Sequence, residues 1–328
     1  MNKAVLIIPY FGKLPSWFQL FLNSCETNQV FDWIIFTDDT TAYNYPSNVQ
    51  AKYGSFAQMQ KRFRQKLGQN ISLERPYKLC DYKPTYGYVF KEDITQYSYW
   101  GHCDLDLLFG DLDRMVAPLM SKGYDKIFAA GHLTLYKNTP ENNKRFMLTL
   151  EQEKLFAMYS ESDKNFGFDE DGGNPKNIHA IYLQEKFSVF SEDLSFNCSD
   201  KYYRFRRCSY MPESRRWQLH KYVRAAWFWH EGKVLQLIPG RQGPTVCEYA
   251  YMHFQGRKWM RFFDSAPAGT LWISPDGFRN CAVLPKTNAE VKKYAKCFGG
   301  MIALSMVMLR LRLRLGKIKI WLLGLRGA

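Results

Sequence analysis

Residues 101–113 read GHCDLDLLFGDLD, an apolar run carrying a histidine and two Asp-Leu-Asp pairs, Asp104/Asp106 and Asp111/Asp113. What separates the two pairs is what surrounds them, and that difference decides the fold. The first pair leaves Tyr97–Cys103, an aromatic-rich segment with the composition of a buried strand. The second follows Gly110 and precedes LDRMVAPLM, so Asp111 sits where a helix N-cap belongs. Free N–H groups and the helix dipole favour carboxylates at such an end. One pair therefore ends a strand, and the other starts a helix.

Working outward, the chain before this stretch alternates strand and helix. Ala4–Ile8 is a short, β-branched apolar run closed by Pro9, and Ser16 is a candidate N-cap for the helical WFQLFLNSCET. FDWIIFTDD is a second buried strand ending at Asp38 and Asp39, and a third covers Val49–Tyr53. Ser55 then opens a helix, FAQMQKRFRQKLG, and Pro84 suits the first turn of another over TYGYVFKEDITQ. Short links between such elements predict an α/β fold, a mostly parallel sheet flanked by helices. Ligands of these sheets gather at the carboxyl ends of the strands, where both FTDD and HCDLD lie. Beyond residue 125 the spacing predicts a strand over Lys126–Thr134, a helix over Asn142–Ser160, an acidic Gly-rich loop over 161–175, and strands at Lys233–Ile238 and Cys247–Phe254. No repeat or low-complexity linker divides the chain. Residues 1–290 read as one domain, with 1–125 as a nucleotide-binding half, 126–290 as an elaborated acceptor-side half, and 291–328 as a tail.

The charge is uneven. Of 45 Lys and Arg, nine lie beyond residue 290, where there is no Asp or Glu; residues 1–290 keep 36 cations against 31 carboxylates. A near-neutral body argues against nucleic acid as a partner. The tail, MIALSMVMLRLRLRLGKIKIWLLGLRGA, is basic and apolar, with charges that interrupt it too soon for a membrane span. It suits attachment to an anionic inner-membrane surface, with an edge strand or an oligomer contact as alternatives. MNKAVLIIPYFG is too short an apolar run, broken by Pro9, for a signal peptide. Eight cysteines without a C-x-x-C pair fit reduced thiols. The expected location is cytoplasmic, peripheral on the inner face of the plasma membrane.

Carboxylates at i and i+2 leaving a buried strand can converge on one hard cation, Mn²⁺ or Mg²⁺, which would neutralise a diphosphate leaving group. The segment HFQGRKW (253–259) supplies His253 to complete the coordination. Gly256 allows the backbone close to a phosphate, and Lys258 can cover diphosphate charge. In YKLCDYKP, Lys78, Asp81 and Lys83 either line a nucleotide cleft or form a surface ion-pair cluster. In FDEDGG, the carboxylates Asp169, Glu170 and Asp171 are either solvated or catalytic, as a base toward an acceptor or as stabilisers of a cationic sugar centre. The Arg-, Tyr- and Trp-rich stretch from 202 to 230 offers flat rings for sugars and bidentate donors for acceptor phosphates.

A D-x-D after an aromatic strand, followed about 150 residues later by H-x-x-G-x-K-W, resembles the GT-A-fold sugar-nucleotide-dependent glycosyltransferases. The pattern is most similar to glycosyltransferase family 8, although the late motif here is one residue shorter and has no proline. YKLCDYKPTYG and GHLTLYKNT also resemble bacterial glycosyltransferases of surface-polysaccharide gene clusters. The resemblance implies a GT-A (Rossmann-like) fold and a UDP-sugar donor, with galactose or glucose as the hexose. It implies a lipid-linked or growing polysaccharide as acceptor, and transfer with retention. It further implies Asp104, Asp106 and His253 as metal ligands, Lys258 on the β-phosphate and Asp38 near the nucleoside. The rival readings are a catalytically silent glycan-binding or scaffold protein, and a sugar-nucleotide nucleotidyltransferase. The latter usually wants a Gly-rich loop after the first strand, which PYFGKLPSW lacks.

Overall fold

The computed structural model describes residues 3–257, 259–265 and 267–295. Lys258 and residues 296–328 lie outside that set, and with them the expectations placed on Lys258 and on most of the tail. The strands of the first two hundred residues are β1 (Ala4–Pro9), β2 (Phe31–Thr37), β3 (Val49–Tyr53), β4 (Tyr99–Cys103), β5 (Leu107–Phe109), β6 (Lys126–Ile127), β7 (Leu133–Lys137), β8 (Val189–Phe190) and β9 (Ser195–Asn197). Seven of them form one sheet, ordered β3-β2-β1-β4-β7-β6-β8. From β3 to β4 each neighbour is parallel to the next. β7 then runs antiparallel to β4 and β6, and β8 pairs parallel with β6. The molecule is thus mixed α/β with a parallel-rich sheet.

The unbroken apolar run of β1 follows from burial on both faces. Ala4, Leu6 and Ile8 enter one core, and Val5 and Ile7 the other. The helix α1 (Phe18–Glu26) buries Phe18, Phe21, Leu22 and Cys25 in the first core, and α2 (Phe56–Leu67) buries Met59 and Phe63 in the second. Ser55 opens α2 through a reciprocal capping box with Gln58: its Oγ accepts from the Gln58 N–H at 3.3 Å, and Gln58 Oε1 accepts from the Ser55 N–H at 2.8 Å. α1 starts one residue later than expected, after Trp17 and without a side-chain cap, so Ser16 does not play that part.

Three expectations after β3 need correction. TYGYVFKEDITQ is not one helix: residues 76–93 are a relay of short α and 3₁₀ turns. The strand expected over Lys126–Thr134 breaks at Phe128, whose φ of 73° lies in the left-handed region. Its two sides become the antiparallel pair β6 and β7. The helix expected over Asn142–Ser160 divides into a 3₁₀ segment, Asn142–Met147, and an α-helix, Leu155–Ser160, with Glu151 and Gln152 at positive φ between them.

The second half is mostly antiparallel, with Arg261–Phe262 paired parallel to Gly277–Asn280 as an exception, so the mostly parallel sheet describes only the first. Cys208–Met211 and Arg216–Leu219 form a hairpin. A six-stranded sheet runs Gly243–Tyr249, Lys233–Gly240, Ala226–His230, Thr270–Ser274, Gly277–Asn280, Arg261–Phe262. The strand expected over Cys247–Phe254 changes sheets at Ala250. Its second part, Tyr251–His253, lies between β5 and β9 and sets His253 opposite Leu107 and Asn197. The later aspartate pair does what its context predicts. Asp111 caps the helix Leu112–Met115 by accepting from the Arg114 N–H at 3.0 Å, and Asp113 clamps the turn before β2 through the N–H groups of Gln29 and Val30. Among the described residues no helix is long and apolar enough to cross a membrane, and the seven described cysteines are free thiols.

Candidate metal centre

β4 belongs to the large sheet and β5 to the small one, and the turn between them carries Asp104 and Asp106. His253, at the end of the strand beside β5, faces that turn. One ligand atom from each of the three residues can be chosen so that all lie within 4.8 Å of one another. His253 Nε2 stands 3.3 Å from Asp106 Oδ1 and 4.0 Å from Asp104 Oδ2. Ligands at about 2.1 Å from one octahedral cation stand about 3 Å apart when adjacent and about 4.2 Å when opposite. The observed separations match those of a shared ion.

The surroundings orient each ligand. His253 Nδ1 lies 2.9 Å from Asn197 Oδ1, which fixes the ring with Nε2 turned toward the carboxylates. Asp106 accepts the Gly256 N–H at 3.2 Å, and its backbone oxygen accepts from Phe254 at 2.9 Å. Gly256 sits at φ 68° with open space where a Cβ would be. Burial alone would raise the Asp106 carboxyl, but His253 and the Gly256 N–H outweigh it and hold it below the ordinary value. Burial likewise opposes a proton on His253, but Asp106 and Asp104 prevail and raise its pKa.

Lys83 joins this turn to the acidic loop. Its ammonium donates to Asp104 Oδ1 at 2.8 Å and to the Gly131 carbonyl at 2.9 Å, and pairs with Asp169 at 3.0 Å. Burial would lower its pKa, yet Asp104 and Asp169 hold it well above the usual lysine value. Asp169 is itself raised, mainly by burial and against the pull of Lys83. Burial and the neighbouring Asp169 push the Glu170 carboxyl up to about 7. Asp104 and His253 also act on Glu170, so this carboxyl belongs to the same electrostatic cluster. Gly131 makes room for it: a Cβ there would lie 2.6 Å from Asp169 Oδ2 and 3.1 Å from Glu170 Oε2. Gly131→Ala is expected to destabilise the fold by about 1–3 kcal/mol through this overpacking. The urea midpoint measures it, and an unchanged midpoint would contradict the close approach.

The remaining expected site residues take other places. Asp171 is fixed by Asn177 (2.8 Å), Tyr210 (2.6 Å) and a two-pronged Arg215 (2.8 Å each), which outweigh burial and hold its pKa well below the carboxylate range. It joins the acidic loop to the hairpin and has no oxygen left for a proton in flight. Lys78 and Asp81 form neither a cleft lining nor a surface cluster. They are a buried pair, 2.9 Å apart, with Asp81 accepting from the N–H groups of Phe166, Gly167 and Phe168 and Lys78 donating to the carbonyls of Tyr159 and Lys164. Asp38 is exposed at the end of β2, where it accepts the Gly12 N–H at 2.7 Å.

Two nearby residues carry no local signal in the sequence. Asn197 is 56 positions from the histidine it orients, and only the pairing of their strands reveals it. His132 packs its ring 4.4 Å from that of His253 and bonds Tyr251 through Nδ1, while its backbone carbonyl accepts the Asp104 N–H. Its GHL context in a strand-like run looks like ordinary core.

A family model described as "Family of unknown function (DUF6625)" matches residues 6–282, and the chain belongs to that family. No curated protein matches. Among solved structures, the apo form of mouse xyloside xylosyltransferase 1 is similar at 9% identity, over 61% of this chain and 88% of that one, with a TM-score of 0.35. A likeness that distant carries no functional argument.

Proposed function

We propose that this member of DUF6625 is a metal-dependent glycosyltransferase of the GT-A type, with residues 1–290 as its catalytic unit. The observation that carries the reading is the convergence of Asp104, Asp106 and His253 at the carboxyl end of β4. Two carboxylates and an imidazole on an α/β strand end suit Mn²⁺ or Mg²⁺, and such a cation would offset the charge of a nucleoside diphosphate as it departs. The donor in this reading is a UDP-hexose, galactose or glucose, and the acceptor a lipid-linked or growing surface polysaccharide.

The protein groups then divide the work. Gly256 brings backbone close to the phosphates, and Lys258 follows it in the chain. Asp38 and the loop after β1 stand on the nucleoside side. Tyr10 opens that loop, its hydroxyl raised by burial and then by the fields of Asp106 and Asp39. On the other side, Glu170 and Asp169 face the sugar. During transfer the bond from the anomeric carbon to the β-phosphate oxygen breaks and one to the acceptor oxygen forms. With retention, the acceptor proton passes to the departing phosphate while Glu170 stabilises the cationic centre. The basic, apolar tail would keep the enzyme on the cytoplasmic face of the membrane, near a lipid-linked acceptor.

Calorimetric titration with UDP, with and without Mn²⁺, tests the reading; binding that ignores the metal would end it. Glu170→Gln is expected to slow transfer about 100-fold or more while leaving Mn²⁺-dependent UDP affinity unchanged. Turnover of UDP-glucose and UDP-galactose, followed by mass spectrometry, provides the rate.

A further inference from the structure

Residues 201–224 hold eight Lys and Arg against one carboxylate, Glu213. That surplus of seven exceeds the surplus of five in the whole of residues 1–290, so the body's positive charge is concentrated here. Arg215 is neutralised by Asp171, but Arg204, Arg206, Lys221 and Arg224 have no carboxylate ion pair among the described residues. Two short runs bring them together. Arg206 donates to the His220 carbonyl, and the Arg204 guanidinium lies 5.3 Å from the Tyr222 ring, so 201–206 and 220–224 form one face. Arg206 also lies over Tyr202 at 4.2 Å.

The face is not merely charged. Tyr202, Tyr222 and Val223 are each about two-fifths exposed between the cations. Apolar and aromatic side chains interleaved with Lys and Arg are the composition of a membrane interface, where rings sit at headgroup depth and cations meet anionic lipid. A nucleic-acid or phosphate site gains nothing from exposed valine. The path of the chain agrees. Arg204 and Tyr222 line a small hollow together with Tyr294 and Ala295, so the face lies beside the last described residue of the chain. The face is also anchored to the metal turn: Arg257, four residues past His253, donates to the carbonyls of Ser199, Tyr202 and Tyr203.

We propose that the face built from residues 201–206 and 220–224 is a second contact with an anionic lipid surface, separate from the tail, which orients the metal centre toward the membrane. The two contacts make different predictions, because the face can be altered with the tail intact. The test uses the full chain and its Arg204→Ala/Lys221→Ala/Arg224→Ala variant, binding vesicles of phosphatidylcholine with and without phosphatidylglycerol. Each cation near an anionic leaflet contributes about fivefold, so the variant is expected to bind phosphatidylglycerol vesicles at least tenfold more weakly, with a shallower dependence on salt. Wild-type affinity in the variant would overturn the proposal and leave the tail as the whole attachment, and so would failure of the unaltered chain to prefer phosphatidylglycerol. An unchanged thermal midpoint shows that the variant is folded. Mn²⁺-dependent UDP binding, measured on both proteins, reports on the glycosyltransferase reading independently of either result.

Discussion

Asp106→Asn is expected to weaken Mn²⁺-dependent UDP binding at least 100-fold while costing the metal-free protein part of its stability. Loss of an outer-shell partner alone typically costs a metal site about 10–100-fold, and Asp106 is a proposed ligand itself. The stability half of the prediction follows from charge. Asp104, Asp106, Asp169 and Glu170 form one carboxylate cluster balanced by Lys83 and His253, and burial already raises Asp169 and Glu170 above their ordinary values. Asp106 itself stays ionised through His253 and the Gly256 N–H, so the amide loses that ion pair and leaves the His253 cation less compensated, although its oxygen can still accept the Gly256 N–H. Thermal melts make the contrast visible. Ligand at 100 times its Kd stabilises a folded protein by about 2.7 kcal/mol, so Mn²⁺ with UDP should raise the wild-type midpoint and leave the variant where it was. An equal rise in both proteins would remove Asp106 from the metal site.

The parts of this site that could be read from the sequence are those where neighbours in the chain decide the outcome. Asp104 and Asp106 announce themselves because a fully buried strand ends immediately before them, and Asp111 because a cap is a local hydrogen bond. The β1 run and the Ser55 box are legible for the same reason. What stayed hidden depends on contacts between distant segments. Nothing in KIFAAGHLT shows that Phe128 takes a positive φ, because that conformation is imposed by the pairings on either side of it. The six-stranded sheet is legible only at Lys233–Ile238 and around Cys247, because strands such as AWFWH and TLWIS are buried along almost their whole length and show no period-two alternation. The Asp171 bridge to Arg215 spans 44 positions, so only the fold shows that this acidic loop is pinned to a hairpin. The burial of Lys78 and Asp81 is illegible in the sequence for a related reason. Spacing of i and i+3 puts them on one side of a turn, but only the packing of residues 159–168 reveals that this side points inward.

Asp81→Ala is therefore expected to be among the most destabilising substitutions in the chain, although Asp81 touches no proposed ligand. Removing one member of a buried ion pair leaves the other uncompensated, at a cost of about 3–5 kcal/mol. Lys78 is fully buried and Asp81 nearly so, and the substitution also strips an acceptor from the N–H groups of Phe166, Gly167 and Phe168. A drop in the thermal midpoint of roughly 10 °C follows from the usual 2–4 °C per kcal/mol for a chain of this size. Lys78→Met combined with Asp81→Ala should be milder than Asp81→Ala alone, because the orphaned charge is gone. A nucleotide-cleft role predicts the opposite pattern, with stability retained, UDP affinity lowered and no relief in the double variant. The structural role reaches function by a separate route. Phe168 immediately precedes Asp169 and Glu170, so the Asp81 cradle fixes the approach of the loop that carries them. In the fraction of Asp81→Ala that stays folded at low temperature, turnover should fall while Mn²⁺-dependent UDP binding persists, since Asp104, Asp106 and His253 are held by β4, β5 and the strand Tyr251–His253 rather than by that loop.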